Sequence, residues 1–208
     1  MASRDSSPRD AAYWYVPLAR AIPAAALAVV ITFSQDHSPR LGLLSFGGFA
    51  VLTGLAVSLL SARLMTRSLE RSLFLGHGII SVLAGAAALV LPGGGLSYLI
   101  FLVSLWAALT GFLELYAGFR SRGRNTSSRD WMFIGGLTVV FAIVTLLMPP
   151  DMVQQFSGEN GVSGVLSSSI IVVGILGAYG AICAVYLVIG GLSLKWAPAS
   201  VTQDGTAS

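Results

Sequence analysis

The chain has 208 residues, 55% of them hydrophobic and only 10% charged, with a formal net charge of +3. A water-facing domain usually carries about 25% charged residues, so this composition excludes an ordinary soluble globule. Its apolar runs approach the roughly 17–25 residues that cross a bilayer, which makes the expected class an all-α, multi-pass membrane protein.

Residues 1–12 are polar or small and read as a disordered N-terminus. Within them Ser7-Pro8-Arg9-Asp10 has the form of a helix start, with a Ser cap, Pro in the first turn and an acid behind it. The membrane domain is expected over 13–196, followed by a disordered tail over 197–208. Six spans are predicted, at about 16–33, 41–62, 73–91, 96–119, 132–148 and 169–194. The first lacks a small-residue cleavage site followed by a soluble domain and is not read as a removable signal. Inside it, Arg20 reads as a snorkelling anchor and the nearby Pro23 as a kink. The first outer loop carries Asp36, His37 and Arg40. Pro92–Gly95 (PGGG) is a turn between helices, since no strand precedes it and no Lys follows. The outer loop from Pro149 to Ser168, with Asp151, Glu159 and Asn160, is expected to be a flexible, solvated connection. Cys183 is the single cysteine, which rules out an internal disulfide, and it reads as a small apolar filler.

Lys and Arg placement sets orientation. Arg4, Arg9 and Arg20, then Arg63, Arg67 and Arg71, then Arg120, Arg122, Arg124 and Arg129, and finally Lys195 all fall on one side, and Arg40 alone on the other. Both termini are therefore expected in the cytoplasm. Trp14 (with Tyr13 and Tyr15), Trp131 and Trp196 are placed as interface anchors on that side, together with Arg63 and Arg120. Trp106 stands apart in mid-span. The lipid bilayer is the expected partner, with a second copy or another membrane protein as the protein partner. No folded basic domain is present to carry nucleic acid.

The sequence repeats itself. FAVLTGLAVSLLSAR (Phe49–Arg63) returns as WAALTGFLELYAGFR (Trp106–Arg120), 57 residues on. GIISVLAGAAALVLP (Gly78–Pro92) likewise aligns with GLTVVFAIVTLLMPP (Gly136–Pro150). The second half of a third unit keeps character more than identity, with Tyr179 for Trp106, Cys183 for Thr110, Ala184 for Gly111 and Gly191 for Gly118. Three helical hairpins, about 16–62, 73–119 and 132–194, are the expected repeat units. Two spans per unit make them parallel repeats, which close either into a pseudo-threefold six-helix bundle or into a looser sheet of hairpins. Small residues supply helix contacts in lipid. Ala50, Gly54, Ser58 and Ala62 form such a stripe, repeated by Ala107 and Gly111, by Ser81 and Gly85, and by Gly177 and Ala181.

The helix from Gly78 to Pro92 with its LPGGGL turn, then SLWAALTGFLELYAGFRSR (Ser104–Arg122), resembles the HdeD-like family of bacterial short-repeat membrane proteins. The pattern of Trp106, Thr110, Gly111, Glu114 and Arg120 is its most family-like part. The resemblance covers about Leu73 to Lys195, with a degenerate unit before it. It implies a six-span plasma-membrane protein linked to acid or envelope stress, with no catalytic site. The chain departs from the pattern in Leu187, where Glu114 would repeat, and in its expanded third outer turn.

An ionisable residue inside a span is a functional candidate by default. Glu114 is the clearest one, with Arg120 among its expected partners. His77 lies at a depth within about one helical turn of it, so the two form a candidate proton-responsive pair. No zinc spacing, nucleotide loop or nucleophile–base set is present, so no enzyme activity, metal or cofactor is expected. The alternatives to a stress-associated protein are a small proton-coupled transporter using Glu114 and His77, or a helix-packing subunit of a membrane complex.

Overall fold

Local chemistry sets the ends of the elements. The computed structural model describes residues 14–65, 69–123, 127–157 and 163–196. The expected disordered ends, the Ser7–Asp10 helix start, and Arg67, Arg124, Glu159 and Asn160 lie outside those residues. The described chain forms helices α1 (Tyr15–Phe33), α2 (Pro39–Leu64), α3 (Leu69–Val90), α4 (Gly95–Arg120) and α5 (Ser128–Leu146), strands β1 (Val153–Ser157) and β2 (Ser163–Ser167), and helix α6 (Ser168–Trp196). Ser38 caps α2 by accepting the Leu41 N–H at 3.3 Å, with Pro39, which has no N–H to satisfy, in the first turn. Asp36 fixes that cap, accepting the Ser38 backbone N–H and hydroxyl, each at 2.8 Å. Gly95 has φ +79°, a left-handed conformation open to glycine, and it turns the PGGG segment into α4.

All six helices are long and apolar enough to cross a membrane. The chain is a multi-pass membrane protein. α3 and α5 start about a turn before the predicted spans, because hydropathy marks the apolar stretch and not the helix end. Glu70 and Asp130 occupy those first turns, where the helix dipole favours an acid. Ile22, Phe33, Leu83, Val90 and Phe112 are exposed on outward faces, the reverse of a water-soluble bundle.

The loop expected to be a flexible connection carries an antiparallel hairpin instead. Val153 faces Ser167, and the register runs to Ser157 opposite Ser163. VQQFS and SGVLS are short strand-capable runs on either side of a segment, 158–162, that contains two glycines. Ser168 ties the base of the hairpin. Its hydroxyl donates to the Pro149 carbonyl at 2.6 Å and accepts the Met152 N–H at 3.1 Å.

α2 packs closely along α3, α4 along α5, and α6 along α1, with looser contact within the α1–α2 and α3–α4 hairpins. In the close pairs, backbone meets backbone at glycine. A Cβ on Gly54 would lie 2.6 Å from the Gly78 carbonyl oxygen, and one on Gly135 2.5 Å from the Leu115 amide nitrogen. One on Gly191 would lie 3.1 Å from the Trp14 carbonyl oxygen. Ala50, Gly54, Ser81, Gly85, Ala107, Gly111 and Gly177 are buried, and Ser58 is half-buried against Gly78. Ala62 and Ala181 are exposed, and Ser61, Gly180 and Ala184 take the inward positions. The reason is geometric: each four-residue step overshoots a helical turn by about 40°, so an inward line must sometimes step by three. α5 and α6 approach through rings. Phe133 stacks on Tyr186 at 4.0 Å and Phe141 on Tyr179 at 4.4 Å.

The aromatic anchors divide. Trp196 is 71% exposed at the end of α6, and Lys195 Nζ lies 4.8 Å from the centre of the Trp14 ring. Arg63 and Arg120 are exposed. Trp131, expected at the lipid interface, is instead buried, with its ring 4.8 Å from that of Phe74. The early start of α5 places it within the helix pack, where it closes a second apolar cluster with Val57, Phe74 and Ala117.

Candidate functional site

One aromatic residue from each of α2, α4 and α6 meets at the bundle centre. Phe49 and Trp106 lie 5.7 Å apart at 84°, Trp106 and Tyr179 6.2 Å apart at 83°, and Phe49 and Tyr179 6.4 Å apart at 84°. Each pair takes the edge-to-face arrangement that the ring quadrupole favours. The polar tips are anchored by neighbouring helices. Trp106 Nε1–H donates to Ser81 Oγ at 2.9 Å. The Tyr179 and Thr138 hydroxyls lie 2.9 Å apart. Thr138 spends its one proton on the Ile134 carbonyl, so Tyr179 is the donor. Mid-span Trp106 therefore belongs to a central support, as do Ser81 and Tyr179.

About two turns along α4 from Trp106, Glu114 faces inward and is 2% exposed. Its partner is not Arg120. Arg20 of α1 grips it with both guanidinium ends, Nη1 to Oε1 at 2.6 Å and Nη2 to Oε2 at 3.0 Å. This is the planar two-bond geometry that suits arginine and carboxylate. Arg20 is 9% exposed, so it is a buried counter-ion and not a snorkelling anchor. The physical reason is the cost of an uncompensated carboxylate in a low-dielectric interior, several kcal/mol, which only an opposite charge at contact distance relieves. α1 runs unbroken through Pro23 and delivers Arg20 to that point. His77 of α3 completes the cluster. It is 4% exposed, with Nδ1 4.0 Å from Glu114 Oε2.

The three residues enclose a cavity of about 20 Å³ to which every helix contributes: Arg20, Thr53, His77, Glu114, Thr138 and Cys183 border it. Four buried polar atoms there have no hydrogen-bond partner, namely Arg20 Nε, both His77 ring nitrogens and Thr53 Oγ1. Cys183 is buried and free within the apolar core, as a small filler, and also borders the cavity. With His77 neutral, the cluster carries one positive and one negative charge, held together. A proton added at His77 leaves one positive charge in excess inside the bundle. Among the described residues, no three of His, Cys, Asp and Glu gather as metal ligands.

Sequence reasoning singled out Glu114 and His77 but missed Arg20 as their partner. A usable signal was present. Arg20, His77 and Glu114 are the only Arg, Lys, His, Asp or Glu residues inside the predicted spans, so the one acid and the one permanent cation had reason to meet.

A family model described as a short repeat of unknown function, DUF308, matches residues 76–147. That stretch runs from α3 through α5 and includes His77 and Glu114 but not Arg20. No curated protein and no solved structure matches the chain.

Proposed function

We propose that this chain is a non-enzymatic plasma-membrane protein of the HdeD-like kind, serving envelope or acid-stress tolerance through a proton-responsive centre at Arg20, Glu114 and His77. The observation that carries the reading is the position of His77. It is a buried imidazole whose nitrogens make no full hydrogen bond, only an approach to the Thr110 backbone, beside a carboxylate already held by arginine. Imidazole is the side chain whose ordinary titration lies near neutral pH, and here its charge would act on an ion pair joining α1 to α4. The DUF308 match over residues 76–147 is in keeping with the short-repeat resemblance.

The finer architecture proposed is three copies of one hairpin in parallel. Its support is a recurring offset of 57 residues. Gly54 abuts Gly78, and Gly111 abuts Gly135. Arg20, His77 and Ile134 follow at the same interval and all border the central cavity. In this register Gly78 corresponds to Gly135, one residue before the Gly78–Gly136 alignment read from sequence. The orientation proposed, with both termini cytoplasmic, rests on Arg63, Arg71, Arg120, Arg122, Arg129 and Lys195 lying at one end, against Arg40 at the other.

Acid-shock survival tests the function. A deletion strain carries wild-type, Glu114→Gln or His77→Gln protein at matched membrane levels. Rescue by wild type but not by His77→Gln is the expected result. Equal rescue by all three would keep the acid role and remove the proton-responsive centre. No defect in the deletion strain would remove the acid role.

A further inference from the structure

Thr53 and Thr110 stand 57 residues apart in the same Leu-Thr-Gly frame, yet their hydroxyls behave differently. Thr110 donates to the Trp106 carbonyl one turn back at 2.7 Å, and Thr138 does the same to Ile134 at 2.7 Å. This is the usual way for a helix to satisfy a buried threonine. Thr53 does not; its hydroxyl is buried without a partner. The neighbouring glycine contacts differ. Gly111 packs on Gly135, whose chain neighbour is Ile134, whereas Gly54 packs on Gly78, whose chain neighbour is His77. Thr53 and His77 both line the cavity, and the Thr53 hydroxyl is left there without a partner.

We propose that this cavity is a binding site for one water molecule, shared by Thr53 and His77 and joining His77 to the Glu114 carboxylate. A buried water needs roughly 10–15 Å³ and two to four polar partners; the cavity has about 20 Å³. Thr53 Oγ1, the His77 ring nitrogens and Arg20 Nε supply the partners. The 4.0 Å between His77 Nδ1 and Glu114 Oε2 is too long for a direct hydrogen bond, and a gap of this size between polar groups is one a water spans. The ligand must both donate and accept. Arg20 Nε–H offers only a proton, one imidazole nitrogen needs one, and the Thr53 hydroxyl serves either way. Apolar residues of the lining, such as Leu187 and Ile134, leave no room for a larger polar solute. The site gives a proton at His77 a path to Glu114 without moving a helix. It stands on geometry and does not depend on the acid-tolerance reading.

The test is a structure of the full chain in a lipid nanodisc, at a resolution that shows ordered waters. One density peak within about 3.2 Å of both Thr53 Oγ1 and a His77 ring nitrogen is the expected result. No peak there while both side chains are ordered, or a direct Thr53–His77 bond, would overturn the proposal. A double-mutant cycle with Thr53→Val and His77→Phe, read by unfolding in detergent, supplies a second measurement. Each single change should shift the folding equilibrium roughly five- to tenfold, and the pair together little more than either alone. Additive effects would mean that the two residues share nothing.

Discussion

Arg20 and Glu114 concentrate most of the electrostatic risk of this molecule in two side chains. Each is tolerable only while the other is present. Arg20→Gln should therefore destabilise the bundle by about 3–5 kcal/mol, because it strands a buried carboxylate. Replacing both, with Arg20→Met and Glu114→Leu, should recover most of that loss, since an apolar pair of similar volume asks for no counter-ion. Unfolding followed in mild detergent decides it; a double variant that loses the sum of the two single losses would mean that the two side chains do not meet. How much of this was legible differs residue by residue. Glu114 and His77 stand out in sequence because hydrocarbon tolerates few ionisable groups. Arg20 does not, because a long side chain near a span end has two outcomes, snorkelling or pairing. Which one occurs depends on a helix 94 residues away.

At the scale of the helices, the repeated frame acts through its glycines. Gly135 and Gly136 are chain neighbours with opposite surroundings. A Cβ on Gly135 meets the α4 backbone at 2.5 Å, whereas one on Gly136 meets nothing within 4 Å. Gly135→Ala should push α4 and α5 apart at a cost of about 1–3 kcal/mol. Gly136→Ala should be neutral or stabilising by up to about 1 kcal/mol, because alanine favours the helix. Thermal unfolding of the two variants side by side reads the difference, and the opposite ranking would shift the proposed repeat register by one residue. The existence of the helices and much of their small-residue contact faces were legible from hydropathy and spacing. Their exact facing was not, as Ala62, Ala181 and Trp131 illustrate, since a few tens of degrees of rotation exchange core for lipid. The β hairpin of the outer loop was missed for a different reason. Five-residue strands among Gly and Ser leave little periodic pattern to read.

At the scale of the whole molecule, the distribution of positive charge and the pairing of helices are separate facts, and each has its own consequence. Cysteines placed at Gln35 and at Arg122, both exposed, in a Cys183→Ser background should respond differently to a membrane-impermeant maleimide added to intact cells. The Gln35→Cys protein should label and the Arg122→Cys protein should label only after lysis. The reverse pattern would invert the proposed orientation. Exposed apolar side chains cover the outside of all six helices, while the charged residues inside the predicted spans gather at a single point within. The composition made the first of these legible. The second needed three dimensions, because helices distant in the chain supply its members.

That convergence has a consequence in time. Arg20 leaves the ribosome 94 residues ahead of Glu114, an interval of roughly 5–20 s at ordinary rates of synthesis. Throughout it, α1 must lodge in the membrane with an unpaired guanidinium, which insertion scales charge at about 2.5–3.5 kcal/mol at a helix centre. The nascent helix should meet this by riding toward the headgroups, so that the snorkelling posture read from the sequence is the one expected of the newborn chain, and the buried pair is that of the finished one. α6, the close neighbour of α1, follows later still. A chain cut short before Glu114 thus keeps an unpaired guanidinium at headgroup depth, a chemical mark by which an incomplete product differs from a complete one.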